Sequence, residues 1–137
     1  MKYICLVYHE ENKLDALSQA ELDALVGECR AWVLELETGG HHVCSAGLQS
    51  VRTATTVRNR NGQLSVTDGP FAETKEFLGG FTILNARDLN EAIQLASKLP
   101  AVRLGSVEVR PVLEPDVELT DSVDQKIGAA ILSKSHP

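Results

Sequence analysis

The hydrophobic pattern opens with Tyr3-Ile4-Cys5-Leu6-Val7-Tyr8, a run almost wholly apolar and rich in β-formers. Such a run predicts a strand buried on both faces and therefore central in its sheet. The period then changes. Leu22, Leu25, Val26, Cys29, Val33 and Leu36 recur at helical spacing; Ser18-x-x-Glu21 supplies a capping box before them and Gly39-Gly40 a stop after them. Val43 to Leu48 predicts a weaker strand. Val51 to Arg58 and Gln63 to Thr67 flank Asn59-Arg60-Asn61-Gly62, which predicts a β-hairpin turning on Asn61-Gly62. Phe77 to Asn85 alternates as a strand. Asp88-x-x-Glu91 is a second capping box, opening a helix with Leu89, Ala92, Ile93, Ala96 and Leu99 on one face. Val107 to Leu113 is the last strand, and Pro111 confines it to an edge.

The order is β-α-β, an inserted hairpin, then β-α-β. It predicts an α+β fold of the ferredoxin-like, split βαβ kind: an antiparallel sheet with both helices on one face and the hairpin added. These strands are too apolar to leave the other face to water, so a second copy of the sheet is the expected cover, giving a homodimer. Residues 1–113 read as the domain and 114–137 as a tail, acidic first, then with Val123, Ile127, Ala130 and Ile131 near helical spacing. A short docking helix and a frayed tail both fit that tail.

Length and charge narrow the function. A chain of 137 residues suits one domain with a real core. Its net charge is −6 with the acids spread along it, which argues against nucleic acid and anionic membrane as partners. Cys5, Cys29 and Cys44 are an odd set at irregular spacing, so reduced, mostly buried thiols in a cytoplasmic protein are expected. Neither a signal-peptide pattern nor an apolar run of membrane-spanning length is visible.

Several separated stretches fall together in a known order. Thr53-Ala-Thr-Thr-Val-Arg58, Asp68-Gly-Pro-Phe-Ala-Glu-Thr-Lys-Glu76, Gly79-Gly80-Phe81 and Gly105-Ser-Val-Glu-Val-Arg-Pro111 resemble the DGPF-motif branch of the YCII-related proteins. The resemblance covers about residues 1–113. It implies a ferredoxin-like, dimeric α/β-barrel architecture in a largely uncharacterised branch. It also implies a regulatory context, since many members are encoded beside alternative sigma factors. More distant YCII proteins carry a His–Asp pair with the His on the first helix. Here that helix, residues 21–38, holds no His, so the pair does not carry over intact.

The candidate chemistry gathers at one end of the predicted sheet. The end of the first strand, the Asp68 corner and the segment after the second helix converge there, bringing His9, Asp68, Glu73, Lys75 and Arg103 to one rim. His9 and Asp68 are the catalytic candidates, because imidazole titrates near neutrality and a carboxylate fixes its tautomer. Arg58, Phe71, Glu73, Lys75 and Arg103 are the binding candidates. Phe71 should pack inward behind the rigid Gly69-Pro70 corner, where burial is worth roughly 1.5–3 kcal/mol. Each residue also has a plainer role. Asp68 could accept N–H groups in its own turn, His9 could end a strand in solvent, and Glu73 and Lys75 could pair with each other. Arg52 and Arg58 share a side of the hairpin arm and suit an anion or solvent. Trp32 suits core or dimer packing.

His41, His42 and Cys44 carry zinc-ligand chemistry, but His42 and Cys44 should share a strand face while His41 points away, and a fourth ligand is not evident. No metal, no cofactor, no phosphate-binding loop and no nucleophile triad is expected. Two function classes follow: a small-molecule enzyme using acid/base chemistry near the Asp68 corner, or a non-catalytic dimeric module binding a ligand or a regulatory protein.

Overall fold

The computed structural model describes residues 1–114 and 126–127, so the expectations for the tail lie outside the described residues. Strand β1 (Lys2–His9) leads through a short helix α1 (Glu11–Asp15) into the long helix α2 (Gln19–Thr38) and strand β2 (His42–Gly47). A 3-10 turn (Val51–Thr53) precedes the hairpin strands β3 (Thr55–Arg60) and β4 (Gln63–Asp68). Strand β5 (Phe77–Asn85), helix α3 (Leu89–Ser97), a second 3-10 turn (Pro100–Leu104) and β6 (Gly105–Pro111) complete the order. The main sheet is antiparallel in the order β2-β5-β1-β6, while β3 and β4 form a separate two-stranded sheet. This is the predicted split βαβ arrangement, with β1 central and the Pro111 strand at an edge.

Local chemistry explains the helix ends. Ser18 Oγ accepts from Glu21 N–H at 3.1 Å and Glu21 Oε1 accepts from Ser18 N–H at 3.2 Å, closing the capping box. At the other end Gly40 takes φ +75°, the His41 N–H reaches back to Leu36 O and the Gly40 N–H to Glu37 O. That is a Schellman stop, and it delivers the chain straight into β2. In α3, Asp88 caps the Glu91 N–H, but the Glu91 carboxylate accepts from Arg87 N–H instead of completing the box.

The core lies between the helices and one sheet face: Tyr3, Cys5 and Leu84 meet Trp32, Leu36, Ala92, Ala96 and Leu99. The Trp32 indole N–H donates to Leu95 O at 2.9 Å, joining α2 to α3 from inside the core. The expectation that β1 is buried on both faces is corrected. Tyr3 and Cys5 are 2% and 0% exposed, but Ile4, Leu6 and Tyr8 are only half-buried, because they point to the face without helices. Leu89 and Ile93, placed on the core face of α3 by periodicity, are exposed. Only Ala92 and Ala96 of that helix are small enough and central enough to meet the sheet closely.

The hairpin is longer toward its tip and shorter at its base than predicted. Asn61 and Gly62 both have positive φ, 54° and 78°, so they make the two-residue turn alone and Asn59 and Arg60 stay in the strand. Val51 to Thr53 turns instead of extending, because Ser50 Oγ accepts from the Arg52 N–H and the Ser50 carbonyl from the Thr53 N–H and hydroxyl.

Candidate functional site

One end of the sheet is assembled around His9, the last residue of β1, which pairs with Phe77 on one side and Gly105 on the other. Gly79 is an extra residue in β5, because Val7 pairs with Gly80 and Tyr8 with Leu78. The imidazole lies directly over this bulge: a Cβ on Gly79 would sit 2.0 Å from His9 Cε1. His9 is half-buried and forms part of the wall of two hollows. The first, about 870 Å³, lies between α2 and the sheet and is lined mainly by apolar groups such as Val7, Leu22, Leu25 and Val33. It exists because α2 buries only Trp32 and Leu36, in its C-terminal half, while Leu22 and Leu25 nearer its start remain half-buried. The second, about 380 Å³, is mixed, with Glu11, Asp15, Ser50 and Arg52 beside Leu14, Leu48 and Phe77.

Glu11 is the best-anchored carboxylate of this end. It accepts from Val51 N–H at 2.6 Å and from the Ser50 hydroxyl at 2.9 Å, with Arg52 Nε at 3.7 Å. The Val51 N–H is the main reason its carboxyl is held below the usual range; the Ser50 hydroxyl and the charges of Arg52 and His9 act in the same direction against partial desolvation. Arg52 also reaches Asp15 Oδ2 at 3.1 Å. Sequence reasoning passed over Glu11 although it lies two residues from His9, because its anchor is a loop forty residues away.

The Asp68-Gly-Pro-Phe corner borders a third hollow of about 670 Å³, lined also by Tyr8 and Thr56, which shares Leu48, Phe77 and Leu78 with the small hollow at His9. Phe71 belongs to its rim, but it is 78% exposed, so the expected inward packing is corrected. The corner is fixed by hydrogen bonds to its backbone instead: Gly69 N–H to Ala54 O at 2.7 Å, the Thr56 hydroxyl to Gly69 O at 2.7 Å, and the Arg58 guanidinium to Phe71 O at 2.6 Å. Arg58 thus holds the corner from across the hairpin. Asp68 ends β4, is exposed, and makes no side-chain hydrogen bond or ion pair among the described residues. It lines neither hollow that His9 lines.

Lys75 and Glu73 do not pair with each other. Lys75 Nζ lies 3.2 Å from Glu10 Oε1, and Glu10 is itself buried at the end of β1, with Lys13 Nζ at 3.9 Å from its other oxygen. Glu76 accepts from the Ser106 hydroxyl at 3.1 Å. The charged segment after the corner is therefore a clasp onto β1 and β6, with Glu73 left exposed. Arg103 is drawn away from the rim to Glu28 on α2.

The His41, His42 and Cys44 stretch also departs from the simple strand pattern. His42 pairs with Leu84, Cys44 with Ile83 and Ser45 with Thr82, so Val43 is an extra residue and the alternation shifts by one. His42 therefore shares its face with Ser45, not with Cys44. His42 Nε2 lies 2.9 Å from Ser45 Oγ, which lies 2.8 Å from Thr82 Oγ1, and Glu37 Oε1 lies 3.9 Å from His42 Nδ1. His41 Nδ1 is engaged with Asn85 O at 2.8 Å. No metal-binding group of three or more His, Cys, Asp or Glu side chains occurs among the described residues. Cys5 is buried, Cys29 half-buried and Cys44 exposed, which corrects the expectation that the thiols are mostly buried.

The YCII-related domain model matches residues 1–116. The chain belongs to the YCII-related domain family. An uncharacterised protein of Rhizobium meliloti (strain 1021) is 35% identical over 114 residues, covering 82% of this chain and 92% of that protein. Among solved structures, the 5-chloro-2-hydroxyhydroquinone dehydrochlorinase TftG from Burkholderia phenoliruptrix AC1100, in complex with 2,5-dihydroxybenzoquinone, aligns with a TM-score of 0.47 and 14% identity. That alignment spans 82% of this chain and 93% of the dehydrochlorinase. No helix among the described residues of this YCII-related chain is long and apolar enough to cross a membrane.

Proposed function

We propose that this YCII-related chain, as a member of the DGPF-motif branch, binds a small molecule at the His9 end of the sheet and acts on it by acid/base chemistry. The observation that carries the reading is the place of the imidazole, in a wall shared by a large apolar hollow and a small one that holds charged groups. An apolar ligand body fits the first, and an ionisable end fits beside Glu11, Asp15 and Arg52 in the second. His9 stands between them, where its ring nitrogens could take a proton from a bound molecule or give one to it. Glu11, held ionised by Val51 and Ser50, is the carboxylate that would bias its charge. Asp68 takes a lesser part as a charge beyond the rim, and Arg58 and Phe71 shape the neighbouring corner hollow.

The test is a metabolite screen by thermal shift, since a ligand that binds the native state raises its apparent stability. A hit should stabilise the wild type, and His9→Gln should abolish turnover of that hit while retaining the fold. Turnover undiminished in His9→Gln would sink the reading. A non-catalytic ligand- or protein-binding module in a sigma-factor context is the second reading. It is favoured by the hairpin, whose Val57, Leu64 and Val66 are 61%, 68% and 64% exposed beside Phe71. Stabilising hits that are never converted would favour it.

A further inference from the structure

The bulge at Val43 assembles a group that the His9 reading does not use. Glu37 lies in the last turn of α2, the Schellman turn carries the chain back, and His42 and Ser45 then face the helix side of β2 together. The contacts run in one line from Glu37 Oε1 through His42 Nδ1 and Nε2 to Ser45 Oγ. Thr82, 5% exposed, has its hydroxyl 2.8 Å from Ser45 Oγ. If Thr82 donates to Ser45, the Ser45 proton is left pointing at His42 Nε2, and the Nδ1–H of the same tautomer faces the Glu37 carboxylate. This is the order of groups that activates a serine hydroxyl: nucleophile, base, then a group that orients the base. At 3.9 Å the Glu37 carboxylate is beyond hydrogen-bond length from Nδ1, the looseness common before a substrate is bound. Ser45, Thr82 and Glu37 all line the apolar hollow of about 870 Å³ between α2 and the sheet.

We propose that Ser45, with His42 as base and Glu37 as its positioning residue, is a nucleophile for acyl esters whose apolar part lies in that hollow. Ser45 Oγ attacks the ester carbonyl carbon and its proton passes to His42 Nε2. The tetrahedral intermediate then collapses with cleavage of the ester C–O bond, and the departing alcohol takes the proton from His42. Water attacks the acyl-serine in the same way, its proton goes to His42 and returns to Ser45 Oγ, and a carboxylic acid leaves. No electrons are exchanged, and water is the only co-reactant.

The full chain treated with excess p-nitrophenyl butyrate tests this, with nitrophenolate release followed by absorbance and the adduct located by peptide mass spectrometry. The exposed thiol of Cys44 would compete for the ester, so the measurement uses a Cys44→Ser background. A butyryl group on Ser45 is expected, with release slowed about 100-fold or more by His42→Gln, in line with loss of a general base. Ser45→Ala should lose the adduct. Circular dichroism checks that each variant is folded. No adduct on Ser45 in the parent chain, or labelling there that is indifferent to His42→Gln, overturns the assignment.

Discussion

Gly79 and Gly105 flank His9 on its two neighbouring strands, and a methyl group would meet different obstacles at each. At Gly79 it would strike the His9 ring, which can swing away; at Gly105 it would lie 1.9 Å from Tyr8 O and 2.8 Å from His9 Cα, both backbone. Gly79→Ala should therefore cost about 1 kcal/mol or less but displace the imidazole, while Gly105→Ala should cost about 3 kcal/mol. Denaturant unfolding and the His9 side-chain NMR signals measure the two effects, and equal stabilities of the two variants would contradict the geometry. Thiol chemistry should be graded in the same way. Burial pushes the Cys5 thiol up to about 11 from its ordinary 9.0, so the neutral form favours the fold below pH 9 and that contribution fades as pH rises through 11. Iodoacetamide at pH 8 should alkylate exposed Cys44 first and reach Cys5 only on unfolding, as peptide mapping would show. Glu11 carries the opposite sign: its carboxylate favours the fold above the ordinary 4.5, and this is lost as pH falls through its lowered native value. Glu11→Gln should flatten the acid side of the melting curve against pH, and superimposable curves would count against the Val51 anchor.

At the scale of elements, α2 is held at its ends and its C-terminal half. Ser18→Ala removes one arm of the capping box and should cost about 0.5–2 kcal/mol in denaturant unfolding. That helix was readable in advance because its signals are local: a cap, a 3.6-residue period and paired glycines. The hairpin tip was readable for the same reason, since Asn61-Gly62 favours positive φ at both positions. The two bulges were not. Which residue is skipped depends on the partner strand, so the pairing of His42 with Ser45 and the seat of His9 over Gly79 had no signature in spacing alone. The inward placement of Phe71 failed for a related reason. An apolar residue after a rigid turn is buried only if something lies opposite, and the corner hollow leaves it open.

For the whole molecule, the sheet face without helices carries Ile4, Leu6, Tyr8, Phe81 and Ile83, all half-buried. An apolar surface of this kind is a place for a partner, and we propose that a second copy covers it, as the alternation of β1 and β5 implies. Leu6→Lys with Ile83→Glu should leave the fold intact and give a monomer by light scattering where the wild type gives a dimer. A monomeric wild type at micromolar concentration would sink the proposal.

The order of the main strands and the two longer helices, the edge strand with Pro111 and the Ser18 cap of α2 were determined by the sequence alone, because period, capping and proline chemistry act within a few residues. Tertiary structure decided which charges meet. Lys75 found Glu10 rather than Glu73, and Arg103 found Glu28 rather than the rim. Long side chains at a sheet's end have several partners within reach, and only the packing of loops from distant parts of the chain selects among them.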